Sequence, residues 1–451
     1  MARAQWRSRL GFIWAAVGSA VGLGNIWRFP YIVGQGGGAA FILVYLCCLA
    51  LVGLPVLVSE ITIGRKTTSG PATAFKQLGK GKSWSFFGKT TVFTGLIVSS
   101  FYSVISGITL GYLFQAILGN LTQFTSAGQA ESYYLSMTSS PWACVTLHLA
   151  FMACSGAILY AGVQRGIESW NKVLMPLLFL VLLALAIKGI TMPGSMEGLR
   201  FLLKPDWSVI TPTVVLMALG QAFFALSLGQ GTMVTYGSYV SEKENLPTTV
   251  FPIAGFGLLV SLLAGIAIFT IVFSVGLKPD AGPSLMYETL PLVFSQTKGG
   301  YVLGLAFFTL LFMAALTSQI SAMEPLIANM IDRFKWARHK AVILTAGLAF
   351  LIGVPCALSF GPWKGFTVFG MNLFDLISSV AVNLLIPLGG LAAVLLVGWR
   401  WGIAKGIEHL YVGAKTYLTK YPIIVSYFKY TIRFISPIAI IIVFLNSLGL
   451  F

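Results

Sequence analysis

Eleven apolar runs of about 17 to 30 residues divide this sequence, and they constrain its fold more than any other feature. They cover 10–34, 39–63, 90–119, 141–160, 167–188, 211–239, 247–276, 302–331, 341–357, 370–398 and 423–449. A membrane-crossing helix needs roughly 20 apolar residues. The runs therefore predict an all-α integral membrane protein with eleven transmembrane helices, forming one domain over 1–451. Composition agrees. Hydrophobic residues make up 57% of the chain and charged residues 9%, against about a quarter charged in soluble domains.

Charge placement sets the orientation. With the N-terminus inside, the segments 1–9, 64–89, 161–172, 240–246, 332–340 and 399–433 carry 22 Lys and Arg, and the opposite loops carry 6. Cytoplasmic loops are enriched in Lys and Arg. The bias predicts a plasma (inner) membrane protein with its N-terminus in the cytoplasm and, after an odd number of crossings, its C-terminus outside. Arg3, Arg7 and Arg9 read as a retained cytoplasmic start rather than a cleaved signal. The net charge of +16 follows from topology and calls for no nucleic acid partner; the lipid bilayer is the partner it implies.

No enzyme constellation stands out. Cys47, Cys48, Cys144, Cys154 and Cys356 lie inside apolar runs without metal-ligand spacing. His148, His339 and His409 are far apart and belong to no motif. Four acidic residues, Glu60, Glu324, Asp332 and Asp375, fall within or at the ends of runs. Charges at membrane depth are costly and face protein or a water cavity. Asp332, beside Arg333, can simply meet solvent. Asp375 and Arg28 sit farther in and need partners.

Two of the runs are interrupted. The first contains SAVGLGNIWRFP, 19–30, with two glycines, Asn25, Arg28 and Pro30 in the middle of apolar sequence. The sixth contains LGQAFFALSLGQGTMVTYGSYV, 219–240, where Gly229 and Gly231 sit among Gln221, Ser227 and Gln230. They stand five runs apart, so two copies related by that offset have opposite orientations. Glycines also serve as ordinary packing residues in membrane helices. Two matched breaks flanked by polar groups instead point to an inverted repeat with a binding site at its centre. The repeats would be about 10–188 and 211–398, with an extra helix at about 423–449. Backbone left unpaired in lipid costs several kcal/mol per group. Lining a ligand seat resolves that cost: free N–H groups at a half-helix start hold a carboxylate, and free carbonyls hold a cation.

GSAVGLGNIWRFPY followed by GQGGGAAF, GQAFFALSLGQGTMVTYGSYV, and AALTSQISAMEPLIANMID resemble the first, sixth and eighth spans of the neurotransmitter:sodium symporter family. The resemblance runs over essentially the whole chain and is closest to the eleven-span bacterial members. It implies a five-helix inverted repeat with broken helices 1 and 6, and sodium-driven symport of an amino acid.

Carried over residue by residue, the family's second sodium site falls on carbonyls of Gly18, Val21 and Ala314 and hydroxyls of Thr317 and Ser318. Ala314, Thr317 and Ser318 stand at i, i+3 and i+4, one helix face. Five uncharged oxygens suit a hard monovalent cation, although Thr and Ser hydroxyls can also simply bond the preceding turn. The resemblance places the substrate carboxylate at the amides of Gly22, Leu23 and Gly24 and at Tyr102. It places the ammonium at carbonyls near Ala20, Phe224 and Ser227, with Phe224 as a lid. Val98, Ser227, Gln230, Ser318 and Ala322 would line the side-chain pocket. Amine carriers of the family place an aspartate where Gly22 stands, so this glycine favours a substrate with its own carboxylate. Gln230 and Ala322 imply a roomier, more polar pocket than one built for leucine.

The resemblance pairs Arg28 with Asp375 as an outer gate, and Arg3 with Asp332 as an inner gate beside Trp6, Ser238 and Tyr239. Gly166 and Pro176 match a motif where the fifth span unwinds; Pro176 reads equally as an ordinary kink. At the first sodium site Ala20 and Asn25 remain. Ala225 stands in place of the usual hydroxyl, Gly257 in place of an amide, and Ser261 in place of a carboxylate. Tyr45 and Gln221 remain from the chloride set, which leaves chloride open. The pattern predicts coupling to one sodium at the second site. A sensor that binds the amino acid without moving it is the alternative; the short predicted cytoplasmic pieces favour transport.

Overall fold

The protein was analysed as a computed structural model that describes residues 3–274 and 285–447. Lys278 and the predicted run ends 275–276 and 448–449 lie outside the described residues. A bent pair opens the chain, α1 (Arg9–Ala20) and α2 (Gly24–Gln35), turning by 54° at their junction. Nine further helices among the described residues are long and apolar enough to cross a membrane. They are α3 (Ala39–Thr67), α4 (Lys82–Ile117), α5 (Pro141–Tyr160), α6 (Val163–Ile190), α9 (Pro247–Ser274), α10 (Gly300–Phe334), α11 (Arg338–Leu358), α12 (Leu373–Arg400) and α13 (Pro422–Asn446). Between α6 and α9 lie two shorter helices, α7 (Pro212–Ala225) and α8 (Thr232–Gly237). The strands Thr367–Val368 and Met371–Asn372 form a small hairpin before α12.

Nine of the eleven apolar runs each correspond to one long helix among the described residues, the first forms the bent pair and the sixth is split into α7 and α8; several of the long helices extend past their runs. α4 begins at Lys82, well before the predicted 90. Apolar length measures the hydrocarbon thickness, whereas a helix continues into the polar boundary wherever its residues allow. α4 is also the most enclosed of the long helices, 89% of its apolar window being buried. Its small residues permit this: a Cβ added at Gly95 would stand 2.9 Å from the Ala322 carbonyl, so α4 and α10 meet nearly backbone to backbone. Around this centre, exposed apolar side chains such as Leu149, Val173, Leu180, Ile343 and Leu351 cover the outer helix surfaces, as lipid requires. The five cysteines are free.

Both interruptions have local causes. α1 opens on Ser8, whose Oγ accepts the Gly11 N–H at 3.0 Å, and stops at Val21, where φ and ψ leave the helical region. The second break, 226–231, holds Ser227 at φ 51, Gly229 at φ 75 and Gly231 at φ 78. These left-handed conformations suit glycine. At Gly229 a Cβ would also stand 1.9 Å from the Ile386 carbonyl. The Gly229 N–H is satisfied by a buried carboxylate, Glu60 Oε1 of α3, at 2.7 Å.

Candidate functional site

The two breaks and the facing stretches of α4 and α10 enclose one cavity. Ser19, Ala20, Gly22, Gly24 and Asn25 line it from the first break, and Phe223, Phe224, Ser227, Leu228 and Gln230 from the second. Val98, Tyr102, Ser318, Ala322 and Ile386 complete the wall. Of the predicted substrate residues, ten line this cavity. Leu23 faces the neighbouring vestibule but presents its N–H to Tyr102, whose hydroxyl accepts it at 3.1 Å. Ala225 is buried behind the wall. Ser227 Oγ donates to the Ser19 carbonyl at 2.7 Å and ties the two breaks together. No charged side chain lines the cavity.

Of the residues expected at the second sodium site, Ser318 lines the cavity and reaches the end of α1. Ser318 Oγ lies 3.4 Å from the Gly18 carbonyl and 3.2 Å from that of Ser19. Thr317 Oγ1 donates back to the carbonyls of Met313 and Ala314, at 3.1 Å each. That bond uses the hydroxyl proton and leaves oxygen lone pairs free. A Cβ at Gly18 would stand 3.3 Å from Thr317 Cβ and 1.8 Å from Asn171 Oδ1. Val21 closes α1 one turn beyond Gly18. Asn171, on α6, escaped the sequence reading. It is fully buried, its Nδ2 donates to the Ile167 carbonyl at 2.8 Å, and its Oδ1 has no partner among the described residues. Its position one turn past the Gly166 region was the available signal. There α6 opens in a wide turn over Val163–Glu168, and Pro176 lies farther along the same helix.

Asn25, expected at the first sodium site, lines the cavity and is held by α9. Its Nδ2 donates to the Gly257 carbonyl at 3.2 Å and to Ser261 Oγ at 3.0 Å, and its Oδ1 is buried without a partner. The register predicted for α9 thus brings Gly257 and Ser261 to Asn25. Gln221 is already engaged at both ends, by Arg28 at 2.7 Å and by the Gly24 carbonyl at 2.9 Å.

The two ends of the molecule differ. At one, Arg3 pairs with Asp332 and also donates to Ser238 Oγ at 2.6 Å, lying over the Tyr239 ring. Asp332 further accepts the Gly70 N–H at 2.7 Å. Trp6 donates from its indole to the Tyr236 carbonyl at 3.1 Å and packs on Tyr236 and Tyr239. A second layer, which the sequence reading missed, lies behind this seal. Arg338 grips the buried Glu324 carboxylate with two bonds, 2.8 and 2.7 Å, and Tyr239 donates to the same carboxylate at 2.7 Å. Glu324 was visible as an acidic residue in an apolar run; Arg338 lies 14 positions away on another helix.

At the opposite end the expected Arg28–Asp375 pair is not formed. Arg28 donates to Gln221 and stacks over Phe224, while Asp375 takes Asn372 Nδ2 at 2.7 Å. Both residues line one vestibule above the cavity. Each charge has found a neighbour on its own wall, and the vestibule separates the walls.

A helical membrane bundle with a cavity at paired helix breaks, and with an ion pair formed at one end but not at the other, has the architecture of a secondary transporter. Comparison with known proteins agrees. The model of the sodium:neurotransmitter symporter family matches residues 3–134 and 135–451. An uncharacterized sodium-dependent transporter of Bacillus subtilis is 38% identical over 447 residues, covering 99% of this chain and 98% of that one. One of Haemophilus influenzae is 36% identical over 457 residues, covering 99% and 98%. Among solved structures, MhsT in complex with L-phenylalanine has a TM-score of 0.91 and 42% identity, covering 99% of this chain and all of that one. The chain belongs to the sodium:neurotransmitter symporter family, whose members are sodium-dependent membrane transporters rather than enzymes.

Proposed function

We propose that this protein is a sodium-coupled symporter of amino acids working by alternating access across a plasma membrane. The observation that carries the reading is the cavity itself. It lies at the meeting of two helix breaks, with amide groups and the Tyr102 hydroxyl at one pole and no charged side chain in its wall. Such a seat suits a zwitterion. Its carboxylate meets the Gly22 and Gly24 N–H groups at the start of α2 beside the Tyr102 hydroxyl, and its ammonium meets the carbonyls left free at the end of α1. That MhsT is solved with an amino acid supports the same substrate class. The sodium reading rests on the oxygens of Gly18, Val21, Ala314, Thr317 and Ser318, with the unpartnered Asn171 amide oxygen beside them.

On this reading α7 and α8 form one interrupted crossing, which makes eleven in all, arranged as an inverted repeat with α13 outside it. The open end is the extracellular side, so the structure corresponds to an outward-facing state with its cytoplasmic seal, Arg3–Asp332 and Glu324–Arg338, closed. Closure of Arg28 toward Asp375 over Phe224 would complete occlusion, and rupture of the inner pairs would release the cargo. A gate that makes and breaks a pair gives the bistable element that alternating access needs. The test is uptake of labelled neutral amino acids into proteoliposomes. Accumulation that needs an inward sodium gradient supports symport; saturable binding with no uptake under any gradient overturns it in favour of a sensor.

A further inference from the structure

We propose that the carboxamide of Gln230 makes the cavity selective for neutral amino acids whose side chains end in a hydrogen-bonding group. An apolar side chain of the same length would be rejected. The proposal rests on the reading of the cavity as an amino acid seat.

Gln230 lies in the second break, is 5% exposed, and lines the cavity. Its side chain makes no hydrogen bond with any described residue, and its Oε1 is buried. The other buried glutamines are at least partly engaged: Gln221 uses both ends of its amide, and Gln319 donates its Nε2 to the Ser99 carbonyl at 3.1 Å while its Oε1, like that of Gln230, has no partner among the described residues. A buried amide is normally paired, because stripping it of water without a partner costs about 1–3 kcal/mol. One left open toward a cavity is a group waiting for a ligand.

Its place in the cavity fixes which part of the ligand it meets. The Gln230 backbone packs at Gly95: a Cβ there would stand 3.1 Å from the Gln230 carbonyl and 2.9 Å from that of Ala322. Tyr102, at the carboxylate pole, lies seven residues along α4 from Gly95. At 1.5 Å per residue the two levels are about 10 Å apart. The Gln230 backbone therefore joins the wall about two turns of α4 away from Tyr102 and Gly22–Gly24, and Ser19, Asn25, Ser227 and Ser318 are the other polar residues of the lining. Val98 and Ala322 form the apolar wall between the two levels. A zwitterion anchored at Tyr102 and Gly22–Gly24 sends its side chain toward Gln230.

The absence of charge in the wall excludes Lys, Arg, Asp and Glu side chains, since an unpaired charge there would be desolvated without compensation. What remains is a neutral donor or acceptor: a carboxamide, a phenol, an indole N–H. Such a ligand satisfies Gln230. An apolar ligand strands it, and sites built to hydrogen-bond a ligand reject analogues that lack the group far more strongly than apolar pockets sort by size.

The experiment is sodium-dependent binding to the purified full chain, measured for two matched pairs, glutamine with methionine and tyrosine with phenylalanine. In at least one pair the polar member should bind tenfold or more tightly than its partner. In Gln230→Met that preference should vanish or invert, with the apolar member bound at least as well as by the parent. Equal or tighter binding of the apolar member in both pairs overturns the proposal using the parent protein alone, whether or not the variant folds. A preference that survives intact in a folded Gln230→Met also overturns it. Amino acid binding without discrimination leaves the symporter reading standing, whereas no binding of any amino acid removes both.

Discussion

Gly22 offers the sharpest test of where the substrate carboxylate sits. A Cβ built on it would stand 2.4 Å from Ser318 Oγ and 2.9 Å from the Tyr102 hydroxyl. Ordinary contacts begin near 3.4 Å, so in Gly22→Ala the serine oxygen must move by about 1 Å and the tyrosine by about half that. Ser318 Oγ would leave the Gly18 and Ser19 carbonyls, and Tyr102 would slip from the Leu23 N–H. Each net hydrogen bond is worth about 1 kcal/mol. Losing two or three gives about 2–3 kcal/mol, which is roughly thirty- to hundredfold in affinity. Gly255→Ala is the control, because nothing lies within 4 Å of a Cβ there. A scintillation proximity assay on purified protein compares the two. Gly22→Ala should lose at least thirtyfold in amino acid affinity while Gly255→Ala stays within a few-fold of the parent. Binding by Gly22→Ala within threefold of the parent would show that the seat lies elsewhere.

Three further outcomes are expected. Removing both hydroxyls in Thr317→Ala/Ser318→Ala should weaken sodium-dependent binding at least tenfold, about 1.4 kcal/mol; unchanged sodium affinity would refute the assignment. Reversal-potential measurements in proteoliposomes should give one sodium per substrate, because Ala225 and Gly257 offer no side-chain oxygen beside Asn25; a ratio of two refutes this. His409, on the helix Ile403–Tyr411, has its pKa pushed down to about 4, by burial first and then by the charges of Arg65 and Lys66. Its Nε2 accepts from Arg65 Nε at 3.2 Å and so is held neutral. Between pH 6.5 and 4 the unfolded chain binds a proton that the folded one refuses, so stability falls as pH falls through that window. Thermal unfolding in detergent should show a smaller drop from pH 7 to pH 5 in His409→Gln than in the parent, and equal drops would exclude the histidine as the cause.

The fold was legible in the sequence to the extent that lipid makes it so. Inside a bilayer the backbone has few choices, so apolar length marked the nine helices that are long and apolar enough to cross among the described residues, and α5 carries the predicted bounds, Pro141–Tyr160. The boundaries that moved are those where a helix leaves the hydrocarbon, as at Lys82. The cavity was legible because glycine and charge are anomalous at membrane depth. Asn171 and Arg338 were not. An asparagine in an apolar run and an arginine at a helix start have ordinary explanations. Only the fold shows that one has an amide oxygen against Gly18 and that the other clamps Glu324.

The unformed outer pair carries the last step. Both gate charges are present, but each is held on its own wall, Arg28 by Gln221 and Asp375 by Asn372. Neither residue lines the cavity; both line the vestibule above it. Closing the pair exchanges two local hydrogen bonds for one salt bridge, a trade that is close to neutral where water still reaches the pair. A nearly balanced gate can be tipped by a small differential free energy, and the proposed zwitterionic substrate under Phe224 would supply one by excluding water from beneath it. The inner seal is not balanced in this way. Arg3, Asp332, Ser238 and the Gly70 amide are mutually satisfied, with the buried Glu324–Arg338 pair behind them. A carrier whose two ends differ in this way opens its weaker end first, which is the order of events that the proposed inward, sodium-driven symport would need.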